Sequence, residues 1–136
     1  MSRRNKHNWT PEDRDRPHHN NKAWQLGKSL SLELYRVTSQ FPDHERYGLV
    51  AQIRRAGVSI PSNIAEGKGR RSDPEFLRYL YMARGSLEEI DTQMEIADDL
   101  GYLDDIDVER AVDLVENFTP TLEGLIQTVR EDIADD

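Results

Sequence analysis

Arg54, Arg55, Lys68, Arg70 and Arg71 crowd into one stretch, RRAGVSIPSNIAEGKGRR. Cations so placed could hold RNA phosphates or exposed bases. Gly67-Lys68-Gly69 raises the narrower idea of a phosphate cradle. A P-loop needs G-x-x-x-x-G-K-[ST] between a strand and a helix, whereas here Gly69 follows the lysine and a helical pattern precedes it. The glycine pair is turn chemistry between two helices.

Other chemistry is harder to find. Carboxylates are abundant, but most fall on outward positions of helical repeats, where they form a solvated face instead of a protected acid–base pair. Di-iron bundles use inward Glu-x-x-His motifs, and no Glu here is followed by His at the third position. His7, His18 and His19 sit near the N-terminus and His44 lies in a turn, with no H-E-x-x-H and no nucleophile elbow. The chain has no cysteine, which removes thiolates, disulfides and Cys-based zinc sites together. No catalytic residue, metal or cofactor is expected.

The elements that must position these cations are helices. Phe76, Leu80, Ala83, Leu87, Ile90, Met94 and Ala97 step in alternating fours and threes. Val108, Val112, Val115, Thr119, Leu122, Ile126, Val129 and Ile133 continue the rhythm, with Leu77, Tyr81, Leu114, Phe118 and Leu125 widening the faces. The spacing predicts two long amphipathic helices. Asp73-Pro74-Glu75 reads as an N-cap, a first-turn proline and a first-turn acid, Gly101 as a left-handed C-cap, and Asp104, Asp105 and Asp107 as the opening of the last helix. An earlier helix from about Asn21 to Gln40 presents Leu26, Leu30, Leu34, Val37 and Phe41. Another, from about His44 to Glu66, presents Leu49, Ile53, Ala56, Ile60 and Ile64. Four helices joined by short loops, with no strand pattern, predict an all-α, antiparallel up-down-up-down bundle over residues 21–136.

Residues 1–20 hold Pro11, Pro17 and three histidines with little apolar surface, and read as a flexible N-terminal arm. Thr10-Pro11-Glu12-Asp13 could cap one helical turn within it. No apolar run approaches the roughly 20 residues of a membrane span, and the N-terminus lacks a signal-peptide core, so a cytoplasmic location is expected.

Pro61 interrupts the second helix. Its ring crowds the carbonyl four residues back and removes a donor, at roughly 3 kcal/mol in a regular helix. That position is Gly57, where the backbone can bend or a neighbouring helix approach. A kink is predicted, not a break, and Pro120 makes the same case in the fourth helix. On a helical wheel Gln52, Arg55, Ser59, Asn63, Glu66 and Arg70 share one flank of the second helix, while Arg84, Glu88, Asp91 and Glu95 share a flank of the third, with Arg84 and Glu88 spaced to pair.

Net charge is −8, but unevenly spread: residues 1–71 hold 14 Lys/Arg against 7 Asp/Glu, and residues 72–136 hold 4 against 19. An overall acid balance disfavours indiscriminate nucleic-acid binding. The basic half could meet the acidic half, within a subunit or between subunits, or an external anion.

Phe41-Pro42, Glu45-Arg46-Tyr47-Gly48-Leu49, Gln52-Ile53-Arg54-Arg55-Ala56, Ser59-Ile60-Pro61-Ser62-Asn63-Ile64-Ala65-Glu66-Gly67, Arg70-Arg71 and Ala83-Arg84-Gly85-Ser86-Leu87 together resemble the four helix bundle protein family, also called the 23S rRNA-intervening sequence protein family. The likeness covers about Trp24 to Leu103 and leaves out the arm and the acidic tail. It implies an antiparallel bundle that can assemble into a homo-oligomer, a homopentamer similar to the accessory protein of diversity-generating retroelements. That relative is basic and binds nucleic acid and a reverse transcriptase; this chain departs from it in its acidic second half. The family supplies no reaction, so Gly57, Ser59, Pro61, Asn63, Glu66, Gly67, Arg84, Gly85 and Ser86 are expected to be structural. The leading expectation is a non-enzymatic oligomeric adaptor for RNA or a ribonucleoprotein; the alternative is a purely structural or protein-interaction oligomer.

Overall fold

A computed structural model describes residues 18–135, in which every regular element is helical. Most of the expected arm, including the turn at Thr10-Pro11-Glu12-Asp13 and His7, lies outside the described residues. Residues 18–20 form a turn against the first helix. The His18 and His19 rings lie 4.8 and 5.1 Å from the Trp24 ring, and Gln25 Nε2 donates to the His19 carbonyl at 2.8 Å.

Helix α1 spans Lys22–Thr38 and is capped by Asn21, whose Oδ1 accepts the Trp24 N–H at 3.0 Å. A short 3-10 turn, Asp43–Glu45, follows, and α2 spans Leu49–Lys68. The second helix therefore starts later than His44. Glu45 explains the delay: its Oε1 reaches forward to accept the Leu49 N–H at 3.2 Å, serving an otherwise orphan donor. Helix α3 spans Asp73–Asp99. Its cap is Ser72, whose Oγ accepts the Glu75 N–H at 3.4 Å, so Asp73 moves into the acidic first turn beside Pro74. Gly101 ends α3 as expected, at φ 79°, with the Tyr102 N–H donating to the Ala97 carbonyl at 3.0 Å. Asp104 Oδ1 then accepts the Asp107 N–H at 2.7 Å and opens α4, Asp105–Asp135.

The helices run up-down-up-down in a closed ring: α1 packs on α2 and α4, and α3 packs on the same two. Leu30, Leu34, Ile53, Ile60, Ile64, Leu80, Ile90, Phe118 and Leu122 fill the centre with essentially no exposure. Each contributes about 1.5–3 kcal/mol of burial free energy. The expected stripes of α1, α2 and α3 are the buried ones. On α4 the stripe is rotated by one residue over its first half: Asp107, Ala111 and Phe118 are buried, while Val112 is 46% exposed. Phe118 decides this, because turning its ring inward removes more apolar surface than turning Thr119 inward.

Helix α2 continues unbroken through Pro61, as α4 does through Pro120. Gly57 serves a close approach of α1: a Cβ there would stand 2.9 Å from Leu34 Cδ1. Gly27 answers it from α1, where a Cβ would meet Ile60 Cγ2 at 3.0 Å and the Pro61 nitrogen at 3.7 Å. The proline thus sits at a close approach of α1 and α2. Among the described residues no helix is long and apolar enough to cross a membrane.

Candidate nucleic-acid and partner contact surfaces

The five candidate cations divide by what already holds them. Arg54 turns toward α1: its Nε donates to Thr38 Oγ1 at 2.9 Å, its Nη2 to the Tyr35 carbonyl at 3.2 Å, and its guanidinium lies over the Tyr35 ring. Arg70 is held by Glu66 Oε1 and Tyr79 OH, each at 2.7 Å, and lies over the Tyr79 ring. The electrostatic influence of Tyr79, followed by the bond to Glu66, raises the Arg70 pKa above the usual guanidinium value. Both are structural arginines. Lys68 and Arg71 are exposed at the turn between α2 and α3, Lys68 near the Phe76 ring. They border a hollow of about 230 Å³ together with Arg70, Asp73 and Asp132. The site therefore combines open cations with acids of the same chain.

Arg55 stands elsewhere, on the wall of a groove of about 580 Å³ between α2 and α3. The flank read from the wheel is real: Gln52, Arg55, Ser59 and Asn63 line one wall. The facing wall of α3 is Met82, Gly85, Ser86, Glu89 and Gln93, not the flank of Arg84, Glu88, Asp91 and Glu95. Arg84 instead crosses to α4, where its Nη1 meets Glu123 Oε2 at 3.4 Å, so the pairing with Glu88 gives way to a link between helices. Ser59 and Ser86 join across the groove floor, and Asn63 Nδ2 donates to the Ser59 carbonyl at 2.8 Å. Gly67 has a packing role, since a Cβ there would stand 2.7 Å from Tyr79 Cβ. Gly85 has none inside the subunit: a Cβ would meet nothing within 4 Å.

A family model described as 23S rRNA-intervening sequence protein matches residues 19–124. The chain belongs to the 23S rRNA-intervening sequence protein family. The match runs well past Leu103 and into α4, further than the motifs alone reach. No curated protein matches the chain.

Two polar networks in this chain went unread as sites in the sequence. Asp107, 4% exposed, occupies a position that an apolar residue would normally hold. Arg36 Nη2 donates to its Oδ1 at 2.8 Å and also bonds Glu33, tying α1 to the start of α4. The Arg36 bond holds the Glu33 carboxyl below its ordinary pKa, and both acids drive Arg36 upward. The sequence hints at this network only through the i, i+3 spacing of Glu33 and Arg36. At the far turn Tyr102 OH donates to Glu45 Oε2 at 2.9 Å, and His44 Nε2 lies 3.2 Å from the same hydroxyl. The Leu49 N–H, then the Tyr102 hydroxyl, push the Glu45 pKa down, while the bond to Glu45 pushes that of Tyr102 up. Among the described residues no three His, Asp or Glu side chains converge to hold a metal ion.

Proposed function

We propose that this chain is a non-enzymatic oligomeric adaptor that contacts RNA or a ribonucleoprotein through the cations at the turn between α2 and α3. The observation that carries the reading is the contrast among its cations: Arg54 and Arg70 are committed to neighbouring helices, whereas Lys68 and Arg71 stand exposed at a bundle end. Compact cations on a rigid turn suit a phosphate backbone. A non-catalytic role is supported by the carboxylates with displaced pKa values: Glu33 holds Arg36, which reaches Asp107 of α4, and Glu45 bonds Tyr102 and the Leu49 N–H. The resemblance to the retroelement accessory protein supports a homopentamer and a reverse-transcriptase-type partner, and the lack of a membrane-length apolar helix among the described residues is compatible with a cytoplasmic location.

The test is binding to single-stranded and duplex RNA across a salt series, with Lys68→Glu/Arg71→Glu beside the wild type. Affinity should fall with salt, and the double variant should bind at least about tenfold more weakly while its helicity stays unchanged, with the salt slope shallower by about 0.7 for each single-strand phosphate that is no longer neutralised. Absent or salt-independent binding removes RNA from the function. A second reading, a purely structural or protein-interaction oligomer, is favoured by Asp73 and Asp132 beside the same cations, because they repel a phosphate strand. It predicts no RNA binding and an assembly mass, by light scattering after size exclusion, that RNA leaves unchanged.

A further inference from the structure

The groove of about 580 Å³ between α2 and α3 holds more hydrogen-bonding capacity than the fold uses. Its levels follow from the antiparallel pairing of the two helices. Ser59 and Ser86 join on the floor, so one turn back along α2 and one turn forward along α3 reach the same height, about 5.4 Å away. That step puts Arg55 opposite Glu89, and a second step puts Gln52 opposite Gln93. One turn in the other direction, Asn63 stands opposite Met82.

Three of these groups are uncommitted. Arg55 and Glu89 are exposed, and neither forms an ion pair with a described residue. Arg84, the nearest cation of α3 in sequence, is turned away to Glu123 of α4. The Gln93 side-chain oxygen is buried and has no hydrogen-bond partner among the described residues, which leaves it short of an N–H or O–H donor.

The floor is also kept open. Gly85 lines the groove beside Ser86, yet a Cβ on it would meet no atom of the subunit within 4 Å. Glycine weakens a helix interior relative to alanine, so packing within the subunit gives no reason for it, whereas free space above the floor does. Met82, 46% exposed, offers a soft apolar surface at the same place.

One cation and one anion facing each other at one height suit a ligand that is neutral there, with acceptors on one edge and donors on the other. A guanine base has that pattern within a single plane. Its O6 and N7 accept from an arginine, and its N1–H and 2-amino group donate to a carboxylate. Adenine presents an acceptor, N1, where guanine has N1–H, and it lacks O6. A flat ring can lie over the glycine and against Met82, and a ribose hydroxyl is the kind of donor that Gln93 lacks.

We propose that the α2/α3 groove takes an unstacked guanine, with Arg55 on its O6/N7 edge, Glu89 on its N1–H and 2-amino group, and Gln93 accepting from a ribose hydroxyl. This rests on the RNA reading above and adds a base preference to it, since Lys68 and Arg71 at the bundle end meet phosphates, which carry no sequence. The same chemistry is presented by a free guanosine nucleotide and by a guanine in single-stranded RNA.

Calorimetric titration of the full chain with guanosine and adenosine 5′-monophosphates tests the free base, and a short oligouridine carrying one central guanine or one central adenine tests the strand. Guanine should be preferred to adenine by at least about tenfold in the source that the groove uses. Glu89→Gln and Arg55→Ala should each remove the preference. Gly85→Ala should weaken guanine binding while Tm stays level or rises, an outcome that a merely structural glycine would not give. A preference seen with mononucleotides and not with strands supports the groove and assigns it to a free nucleotide. Equal binding of guanine and adenine strands, both weakened by Lys68→Glu/Arg71→Glu, overturns the inference and leaves the RNA reading standing. A guanine preference that survives Glu89→Gln and Arg55→Ala places the base elsewhere and overturns it too. Binding of neither nucleotide nor strand overturns both.

Discussion

Gly67→Ala tests how closely α2 and α3 are seated. A Cβ at Gly67 would lie 2.7 Å from Tyr79 Cβ, 2.9 Å from Phe76 Cδ1 and 3.3 Å from the Phe76 carbonyl oxygen. Carbon atoms settle at about 3.5–4.0 Å, so the helices must part by roughly 1 Å. Tyr79 Cβ is fixed to its backbone and cannot swing aside. Such overpacking costs about 1–3 kcal/mol. Alanine recovers up to about 1 kcal/mol of helix propensity, less near a helix end, leaving a net loss of about 1–2 kcal/mol. Gly124→Ala is the matched control, because a Cβ there meets nothing within 4 Å and only the gain remains, about 0.5–1 kcal/mol. At about 4 °C per kcal/mol for a domain of this size, Gly67→Ala should lower Tm by about 4–8 °C and Gly124→Ala should raise it by about 2–4 °C. Thermal and urea unfolding at one protein concentration measure both, the fixed concentration being needed because any self-association would add to apparent stability. A Gly67→Ala protein as stable as wild type, with the same urea m-value, would refute the close seating.

Asp107→Ala should cost on the order of 1 kcal/mol through removal of a charge-assisted bond, and a double-mutant cycle with Arg36→Ala in urea should return a clear coupling. Arg54→Ala should destabilise by about 1 kcal/mol because it empties two bonds to α1, whereas Arg55→Ala should stay within about 0.5 kcal/mol in the same assay. Glu45 has a lowered folded pKa, so its contribution is present above the ordinary carboxylate pKa and is lost as pH falls through the depressed value. Urea midpoints between about pH 3 and 6 should therefore fall less steeply for Glu45→Gln than for wild type, with Glu33 supplying part of the remaining slope. Tyr102 works the other way: its raised pKa stabilises below about pH 10 and ceases to do so as pH rises through the folded value, so Tyr102→Phe should flatten the alkaline limb.

Period and punctuation made the helices legible. Leu30, Leu34, Ile53, Ile60, Leu80 and Ile90 are buried where the repeat puts them, and Gly101 caps where a left-handed residue was needed. The misses share a cause, which is competition settled by tertiary contacts. Ser72 and Asp73 can both cap, and Ser72 prevails while Asp73 joins the helix dipole. Val112 and Ala111 can both face inward, and Phe118 further along the helix selects Ala111. Of the candidate site, the wheel found the Gln52–Asn63 wall but could not say which edge of α3 faces it. It also could not tell the committed Arg54 and Arg70 from the exposed Lys68 and Arg71, since their partners Tyr35, Thr38 and Tyr79 become neighbours only through folding.

An even number of antiparallel helices returns the polypeptide to its starting pole. Lys22 at the head of α1, Asp135 at the foot of α4 and the Lys68–Ser72 corner consequently share one end of the rod. In the oligomer proposed above, every subunit would display the same corner. A long polyanion laid across these corners would engage several weak grips at once, and avidity could then supply a strength that no single corner possesses.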